Sequence, residues 1–210
     1  MEGHILGTVN HNPYLGVELS STLSWNDHIG NITTKANKTL GFIRRNLSKC
    51  PMNIKRQAYI TLVRPTLEYA SSVWDPHLQK HIQQLEMVQR RAARFIRHEY
   101  SRDPGIVTSL LEDLKLPQLQ ERRKTSRLLL FHKVIHQLIA IPIPEYLMTP
   151  ARMTRQFHQR RFVRLGSSSE QRKHSFFVRT ITNWNELPPS LLDIDDYEAF
   201  KTNLIAHRYP

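Results

Sequence analysis

The stretch LQKHIQQLEMVQRRAARFIR, residues 78–97, decides the fold. Its apolar side chains recur every three or four positions, which predicts one buried face of an α-helix. The residues on that face are Leu78, Ile82, Leu85, Val88, Ala92, Phe95 and Ile96. Arg90, Arg94 and Arg97 recur at i, i+4 and i+7 on a separate face. That face can bind phosphates while the helix packs, and an ordinary solvated face explains the same arginines equally well.

Helical patterns continue on both sides of this stretch. Upstream, the same spacing predicts a helix over residues 29–43, and a second helix begins at Pro51, a favoured first-turn residue. Pro65 must kink or interrupt that second helix, because proline lacks the amide proton and clashes with the preceding turn. Downstream, we predict helices over residues 104–113, over residues 118–139 and after Asp196, while residues 176–184 fit a strand or a short helix.

The N-terminal end follows a different period. Apolar residues alternate with other residues over positions 15–19, which is the period of a β-strand. The sequence Asn-His-Asn-Pro at residues 10–13 carries turn chemistry. We therefore predict a hairpin within residues 4–19 and a mainly α fold class, in which a small N-terminal β-hairpin precedes the helices.

The chain is strongly basic, with a formal net charge of +12 over 210 residues. Its densest part is residues 152–179, the Arg-rich tract, where eight cations stand against Glu170 alone. Seven of the eight are arginines, whose guanidinium groups match phosphate geometry in pairs of hydrogen bonds. A polyanionic partner, nucleic acid above all, is favoured over a merely solubilising surface.

Several classes of protein are excluded by simple counts. The single cysteine, Cys50, excludes an internal disulfide and a cysteine-based zinc cluster. No apolar run approaches the ~20 residues that cross a bilayer, and no signal peptide stands at the N-terminus. We therefore expect an intracellular protein of a reducing compartment, nuclear or cytoplasmic, without a membrane partner.

Acidic and histidine clusters offer little metal chemistry. Asp193, Asp195, Asp196 and Glu198 lie just before a helical pattern, where they cap free amides, and this role is favoured over metal binding. His77 and His81 are four residues apart but lack a third ligand nearby. No metal site, cofactor or catalytic residue is predicted.

Ten short stretches occur together along nearly the whole chain from Tyr14. They are residues 14–17 (YLGV), 23–29 (LSWNDHI), 39–47 (TLGFIRRNL), 58–59 (AY), 62–65 (LVRP), 67–76 (LEYASSVWDP), 85–96 (LEMVQRRAARFI), 175–180 (SFFVRT), 184–188 (WNELP) and 200–201 (FK). In this order and spacing the chain resembles the C-terminal part of the reverse transcriptase of jockey-type non-LTR (LINE-like) retrotransposons.

The resemblance implies a domain plan. Residues 1–22 are expected to form a β-hairpin at the palm–thumb junction, with Tyr14, Leu15 and Gly16 as a primer-grip-like segment. Residues 23–100 are then a helical thumb-like bundle that tracks the template–primer duplex, and residues 101–210 are a C-terminal helical and Arg-rich region.

The resemblance also implies what is missing. In the family, the Phe/Tyr-x-Asp-Asp catalytic hairpin lies upstream of the Tyr-Leu-Gly segment, and only thirteen residues precede Tyr14 here. Asp195 and Asp196 stand at the wrong end of the chain to replace it. We therefore expect a truncated RNA-directed DNA polymerase that is inactive alone, since metal-binding carboxylates are required to copy a template.

Binding of RNA or of an RNA/DNA duplex through backbone phosphates is the activity expected to remain. The predicted contacts are Arg44, Arg45, Arg90, Arg94, Arg97, Arg152, Arg155, Arg160, Arg161, Arg164, Arg172, Lys173 and Arg179. Trp25, Trp74 and Trp184 could stack on bases, but core or junction positions are the favoured interpretation.

Two other functions remain open. The apolar stripes of residues 78–97 and 128–138 could pack against a reverse transcriptase palm, a full-length enzyme or a second copy, as a helical interaction module. Alternatively, the chain is a translated retroelement remnant with no function.

Overall fold

The computed structural model describes residues 9–145, 147–149 and 158–209. In these ranges the chain is mainly helical with one N-terminal antiparallel hairpin, which confirms the predicted fold class. It divides into two compact units: Met1–Ala70 with Pro76–Leu119 (unit 1), and Ser71–Asp75 with Gln120–Pro210 (unit 2). The described helices are α1 (Asn26–Asn46), α2 (Met52–Ala58), α3 (Arg64–Glu68), α4 (Ser71–Trp74), α5 (Gln79–Arg97), α6 (Ile106–Asp113), α7 (Leu119–Ile135), α8 (Glu170–Lys173), α9 (Phe176–Asn185), α10 (Pro189–Leu192) and α11 (Tyr197–Arg208).

The hairpin pairs β1 (His11–Tyr14) with β2 (Val17–Ser20). Its turn is Leu15 and Gly16, both at positive φ (46° and 80°), the two-residue turn that matches strand twist. The turn predicted at residues 10–13 is wrong, because residues 11–13 pair along β1 instead. Proline is tolerated there, since a two-stranded sheet has only edge strands.

Unit 1 is built around α1 and α5. The predicted faces are confirmed, as α1 buries Ile29, Leu40 and Ile43 while α5 buries the apolar stripe from Ile82 to Ile96. Leu78 is the exception at 45% exposure, because it precedes the first turn of α5 in extended conformation.

A buried hydrogen bond fixes the central helix α5 in unit 1. The Tyr59 hydroxyl donates to Gln89 Oε1 at 2.8 Å, and Gln89 Nε2 donates to the Pro117 carbonyl at 2.9 Å. Both polar side chains are fully buried, so these bonds satisfy groups that water cannot reach.

The second predicted helix is interrupted before Pro65. A π-helical turn, Tyr59–Val63, separates α2 from α3, and Pro65 lies in the first turn of α3. The wider turn accommodates Pro65, which has no N–H to donate and whose ring would clash with the carbonyl four residues earlier in a regular α-helix.

Unit 2 has its own apolar core. Phe131 of α7, Trp184 of α9 and Phe200 of α11 are fully buried, with the Phe131 and Trp184 ring centroids 5.2 Å apart. Residues 176–184 are therefore helical, as one of the two predicted alternatives required. Helix α7 ends at Ile135 rather than near residue 139, and Gln137 at a φ of 53° leaves Leu138 54% exposed.

No helix in the described ranges is long and apolar enough to cross a membrane.

Candidate nucleic-acid interface

The strongest candidate site is an open groove on unit 1, between α1 and α5, which we call the basic groove. It consists of two adjoining hollows of about 620 and 400 Å³ that share Gly41, Arg44 and Arg45. The larger hollow is also lined by Lys38 and by Arg91 of α5. Four cations therefore converge on one surface, and two of them were predicted contacts.

The helical period explains how α1 contributes to the groove. Lys38, Gly41 and Arg45 follow one another at i, i+3 and i+7, so they share a face of the helix. Leu40 and Ile43, on another side of the same helix, are buried in the core of unit 1. Packing therefore holds the cationic face in place.

Arg91 closes the groove from the side of α5. Its Nη1 donates to Asn37 Oδ1 at 3.1 Å, which directs the guanidinium toward α1. One nitrogen is engaged in this way, and the side chain remains exposed. A guanidinium carries five N–H donors, so others stay available for a phosphate.

The smaller hollow adds aromatic surface. Phe95, His98 and Tyr100 line it together with Arg44 and Arg45. His98 ends α5 at a φ of 55°, and its ring lies 5.5 Å from that of Tyr100 at 85°. Tyr100 is 49% exposed, so its ring presents a face that a base or sugar can contact.

No aspartate or glutamate lines either hollow, among the described residues. The four cations therefore have no carboxylate within the groove to neutralise them. An anion bound there is not repelled by a carboxylate of the groove. Water screens charges in a groove less than charges on a flat surface.

The predicted arginine stripe of α5 does not form one free surface. Arg90 is exposed, but Arg94 donates to the Ser101 carbonyl, and Arg97 is paired with Asp113 of α6. Residues beyond the helix turn back and engage two of its three cations, so the three arginines do not present equally free guanidinium groups.

Two cations of the groove, Lys38 and Arg91, were not among the contacts predicted from the sequence. Arg91 directly follows Arg90 and points about 100° around the helix from it. Lys38 stands seven residues before Arg45, a spacing that sets both on one helical face. That spacing was the available signal, whereas the choice between Arg90 and Arg91 required knowing where α1 packs.

The Arg-rich tract is also not a single surface. Arg152 and Arg155 lie outside the described residues. Of the others, Arg160 is paired with Asp195, Lys173 with Glu170 at 3.2 Å, and Arg179 with Asp75 at 3.3 Å. Arg161 is half-buried, and the exposed cations of the described part of the tract are Arg164, Arg172 and Lys173.

The primer-grip-like residues form the tip of the hairpin. Tyr14 and Leu15 are 61% and 75% exposed. The Tyr69 hydroxyl donates to the Leu15 carbonyl at 3.0 Å, and a Cβ at Gly16 would stand only 3.3 Å from the Tyr69 ring. Tyr69 thus holds the tip, and glycine suits the close approach.

The C-terminal carboxylates take structural roles. Asp196 accepts the Ala199 amide at 2.7 Å as the N-cap of α11, which confirms the predicted capping. Asp193 lies 3.1 Å from His158 Nε2, and Glu198 lies 3.0 Å from Lys201 Nζ. No group of three metal-ligating side chains occurs within the described ranges.

The tryptophans are mostly core residues. Trp74 and Trp184 are fully buried, and the indole of Trp184 donates to the Arg160 carbonyl at 2.8 Å. Trp25 is half-buried at the start of α1, edge-on to His28. None of the three lines the basic groove.

Comparison of the chain with protein-family models, curated proteins and solved structures finds no match.

Proposed function

We propose that this chain binds RNA or an RNA/DNA duplex through backbone phosphates in the basic groove, as the thumb-like portion of a non-LTR retrotransposon reverse transcriptase. The observation that carries the proposal is the convergence of Lys38, Arg44, Arg45 and Arg91 on a groove without a lining carboxylate. The resemblance of the sequence supplies the class of protein, and the groove supplies the surface.

Phosphate contacts fit these residues better than base readout does. Arginine forks bind phosphate oxygens in pairs, and lysine adds a mobile point charge. Such contacts carry no sequence information directly, so binding is expected to tolerate any sequence. Tyr100 at one end of the groove can add a stacking contact that is equally tolerant.

The proposal assigns no polymerase activity to this chain alone. Two-metal phosphoryl transfer requires carboxylates held on separate elements. Asp195 and Asp196 instead engage Arg160 and the amide of Ala199. Clear metal-dependent extension of a primed RNA template by the purified chain would contradict this part of the proposal.

A neighbouring pair of arginines provides the sharpest binding test. Arg91→Gln removes a groove cation, whereas Arg90→Gln removes an exposed cation of the same helix that does not line the groove. Binding of a fluorescent RNA/DNA duplex is measured by anisotropy across a salt series. Each lost phosphate contact is expected to lower the log–log salt slope by about 0.7–0.9.

We expect Arg91→Gln to weaken duplex binding and to reduce the salt slope. Arg90→Gln should keep nearly the affinity and slope of the wild-type protein. The triple variant Arg44→Gln, Arg45→Gln, Arg91→Gln should lower the slope by about 2–3. Its charge-matched control is Arg90→Gln, Arg164→Gln, Arg172→Gln, which removes three exposed cations outside the groove. Equal losses of affinity and slope in both triple variants would mean that binding depends on net charge alone, and this result would contradict the proposal.

A helical interaction module remains the second candidate, and the hairpin tip favours it. Tyr14, Leu15 and Tyr69 are each more than half exposed, and the Tyr69 hydroxyl donates to the Leu15 carbonyl, so the hairpin tip carries large exposed side chains. If the patch joins chains, Leu15→Glu should shift the mass measured by light scattering from oligomer to monomer. If the wild-type protein is monomeric and binds duplex, this candidate function is rejected.

A further inference from the structure

Unit 2 contains an unusual charge cluster around Asp75, which we call the Asp75 cluster. Arg123 Nε donates to Asp75 Oδ1 at 2.8 Å, and Arg127 Nε lies 3.0 Å from Oδ2. Arg179 approaches the same Oδ2 at 3.3 Å and donates to the Asp75 carbonyl at 2.7 Å. Three arginines therefore share one carboxylate, which leaves two positive charges in excess.

These charges are deeply buried. The side chain of Arg123 is 0% exposed, and those of Arg127 and Asp75 are 5% exposed. Excess charge of one sign inside a protein is costly, because low dielectric strengthens repulsion as much as attraction. The pKa of Arg127 is accordingly lowered to about 10, chiefly by burial, with Arg179 and Arg123 adding repulsion that Asp75 opposes.

Several donors of the cluster have no acceptor. Arg123 Nη1 and Nη2 and Arg127 Nη1 are buried and make no hydrogen bond, and Arg127 Nε has only its ion-pair contact with Asp75. The remaining nitrogen of Arg127, Nη2, is satisfied by Asn183 Oδ1 at 3.1 Å. Buried donors are almost always paired in folded proteins, and charged ones most of all. Three unpaired guanidinium nitrogens with two excess positive charges match an acceptor-rich anion.

The helix geometry accounts for the arrangement. Arg123 and Arg127 stand four residues apart on α7, which puts them on one face, while Arg179 comes from α9 and Asp75 directly follows α4. The Asp75 carboxylate accepts a hydrogen bond from Arg123 Nε. It also lies within ion-pair distance of Arg127 Nε. Since a guanidinium is planar and rigid, this orientation fixes where its Nη groups stand.

We propose that the Asp75 cluster is a binding site for a small tetrahedral oxyanion of the inorganic phosphate class. Phosphate carries between one and two negative charges at neutral pH, which offsets the excess of the three arginines. Its oxygens accept several N–H bonds at once, as the unpaired nitrogens require. Full burial of Arg123 excludes the backbone of a polymer, and a free ion reaches the unpaired nitrogens through a local opening of unit 2. The site is separate from the basic groove and does not depend on the function proposed for it.

Inorganic phosphate itself is the probe. Binding is followed on the full chain by isothermal titration calorimetry and by the rise of Tm with phosphate, against sodium chloride at equal ionic strength. Arg123→Gln is expected to abolish the phosphate-specific response. Arg164→Gln, which removes an exposed arginine of the same unit, should retain it. Arg91→Gln in the basic groove should also retain it, which separates this site from the groove.

A milder variant keeps the test decisive if Arg123→Gln does not fold. Arg179 is 20% exposed, and Arg179→Gln should weaken phosphate binding by about tenfold, because it removes one of the positive charges that attract the anion. A phosphate response equal to that of chloride overturns the proposal. So does a phosphate affinity that is unchanged in Arg179→Gln, since that outcome means an adventitious ion only.

Discussion

Arginine serves opposite purposes in the two units. In unit 1, Arg44, Arg45 and Arg91 stand exposed around a groove without a lining carboxylate. In unit 2, Arg123 and Arg127 are buried around Asp75. The residue type is the same, and the position of the nearest carboxylate decides whether an arginine is exposed at the surface or held in the interior.

The comparison corrects a conclusion drawn from charge density alone. The Arg-rich tract has the densest run of cations, yet Arg160 and Arg179 are engaged by acids distant in sequence, Asp195 and Asp75. The groove draws its cations from two helices far apart in the chain. Clustering in sequence therefore gives poor guidance to clustering on the surface.

The largest effect is expected from Asp75→Ala. Removing the carboxylate leaves three arginines facing one another in a buried site, and breaking such an ion pair costs about 3–5 kcal/mol. The free energy of unfolding is measured by urea denaturation. Asp193→Ala, which removes an exposed carboxylate of the same unit, should change it by about 0.5 kcal/mol or less.

The groove supplies the contrasting half of that test. Arg44→Gln, Arg45→Gln and Arg91→Gln together should alter the free energy of unfolding by about 1.5 kcal/mol at most, less than the Asp75→Ala effect, since surface substitutions rarely exceed about 0.5 kcal/mol each. If Asp75→Ala proves as mild as the groove variant, the contrast between the buried arginines around Asp75 and the exposed arginines of the groove is wrong.

Much of this fold follows from local patterns. The 3.6-residue spacing in residues 78–97 predicted α5 and its buried face, and the acidic residues before α11 predicted its N-cap. Pro65 predicted an interruption that the structure realises as a π-helical turn. These features depend on neighbours in sequence, so the sequence contains what is needed to find them.

The candidate site could be predicted less well from the sequence than the fold, and the reason is physical. Whether Arg97 or Arg91 stays available depends on α6 placing Asp113 beside the former and on α1 packing next to the latter. Both facts concern pairs of elements. The Asp75 cluster draws on three separate segments, namely the end of α4 for Asp75, α7 for Arg123 and Arg127, and α9 for Arg179, so the shared charge cannot be recognised before the chain is folded.

A smaller effect is expected from the cap of α11. Asp196→Ala removes the acceptor of the Ala199 amide and should cost about 1 kcal/mol, whereas Asp196→Asn retains a capping oxygen and should cost much less. Urea denaturation measures both variants. Equal losses would mean that the charge, rather than the hydrogen bond, stabilises the helix start, and this would weaken the structural role given to the acids of unit 2.

Asp113→Asn sharpens the comparison, because it releases Arg97 from its ion pair and makes it resemble the arginines of the groove. It removes the charge that holds Arg97, which is 38% exposed, and so makes one more cation available on α5. Duplex affinity should rise modestly, with the log–log salt slope steeper by up to about 0.9. Glu112→Gln makes the same change of net charge on the same helix and is the control. An equal rise in both variants would show that net charge alone is responsible.

The smallest effect concerns two histidines that join the charge network of unit 2. The rings of His132 and His136 are tilted by 31° to each other, with centroids 4.2 Å apart. His132 Nε2 donates to the Ile194 carbonyl at 2.9 Å, and its ring lies against Phe200. Burial lowers the pKa of both histidines. For His132 the Ile194 carbonyl and Asp195 oppose this effect, while His136 and Arg160 add to it.

Because these pKa values lie below the ordinary value of about 6.5, the unfolded chain takes up protons first as pH falls. Stability is fully present above pH 6.5 and declines from there toward the lowered pKa values, below which it stops declining. His132→Gln should flatten the dependence of the unfolding free energy on pH between 5 and 7, while His207→Gln, at an exposed position of α11, should leave it unchanged. An unaltered slope in both His132→Gln and His136→Gln would mean that this buried pair does not resist protonation, and that unit 2 tolerates added positive charge better than the Asp75 cluster implies.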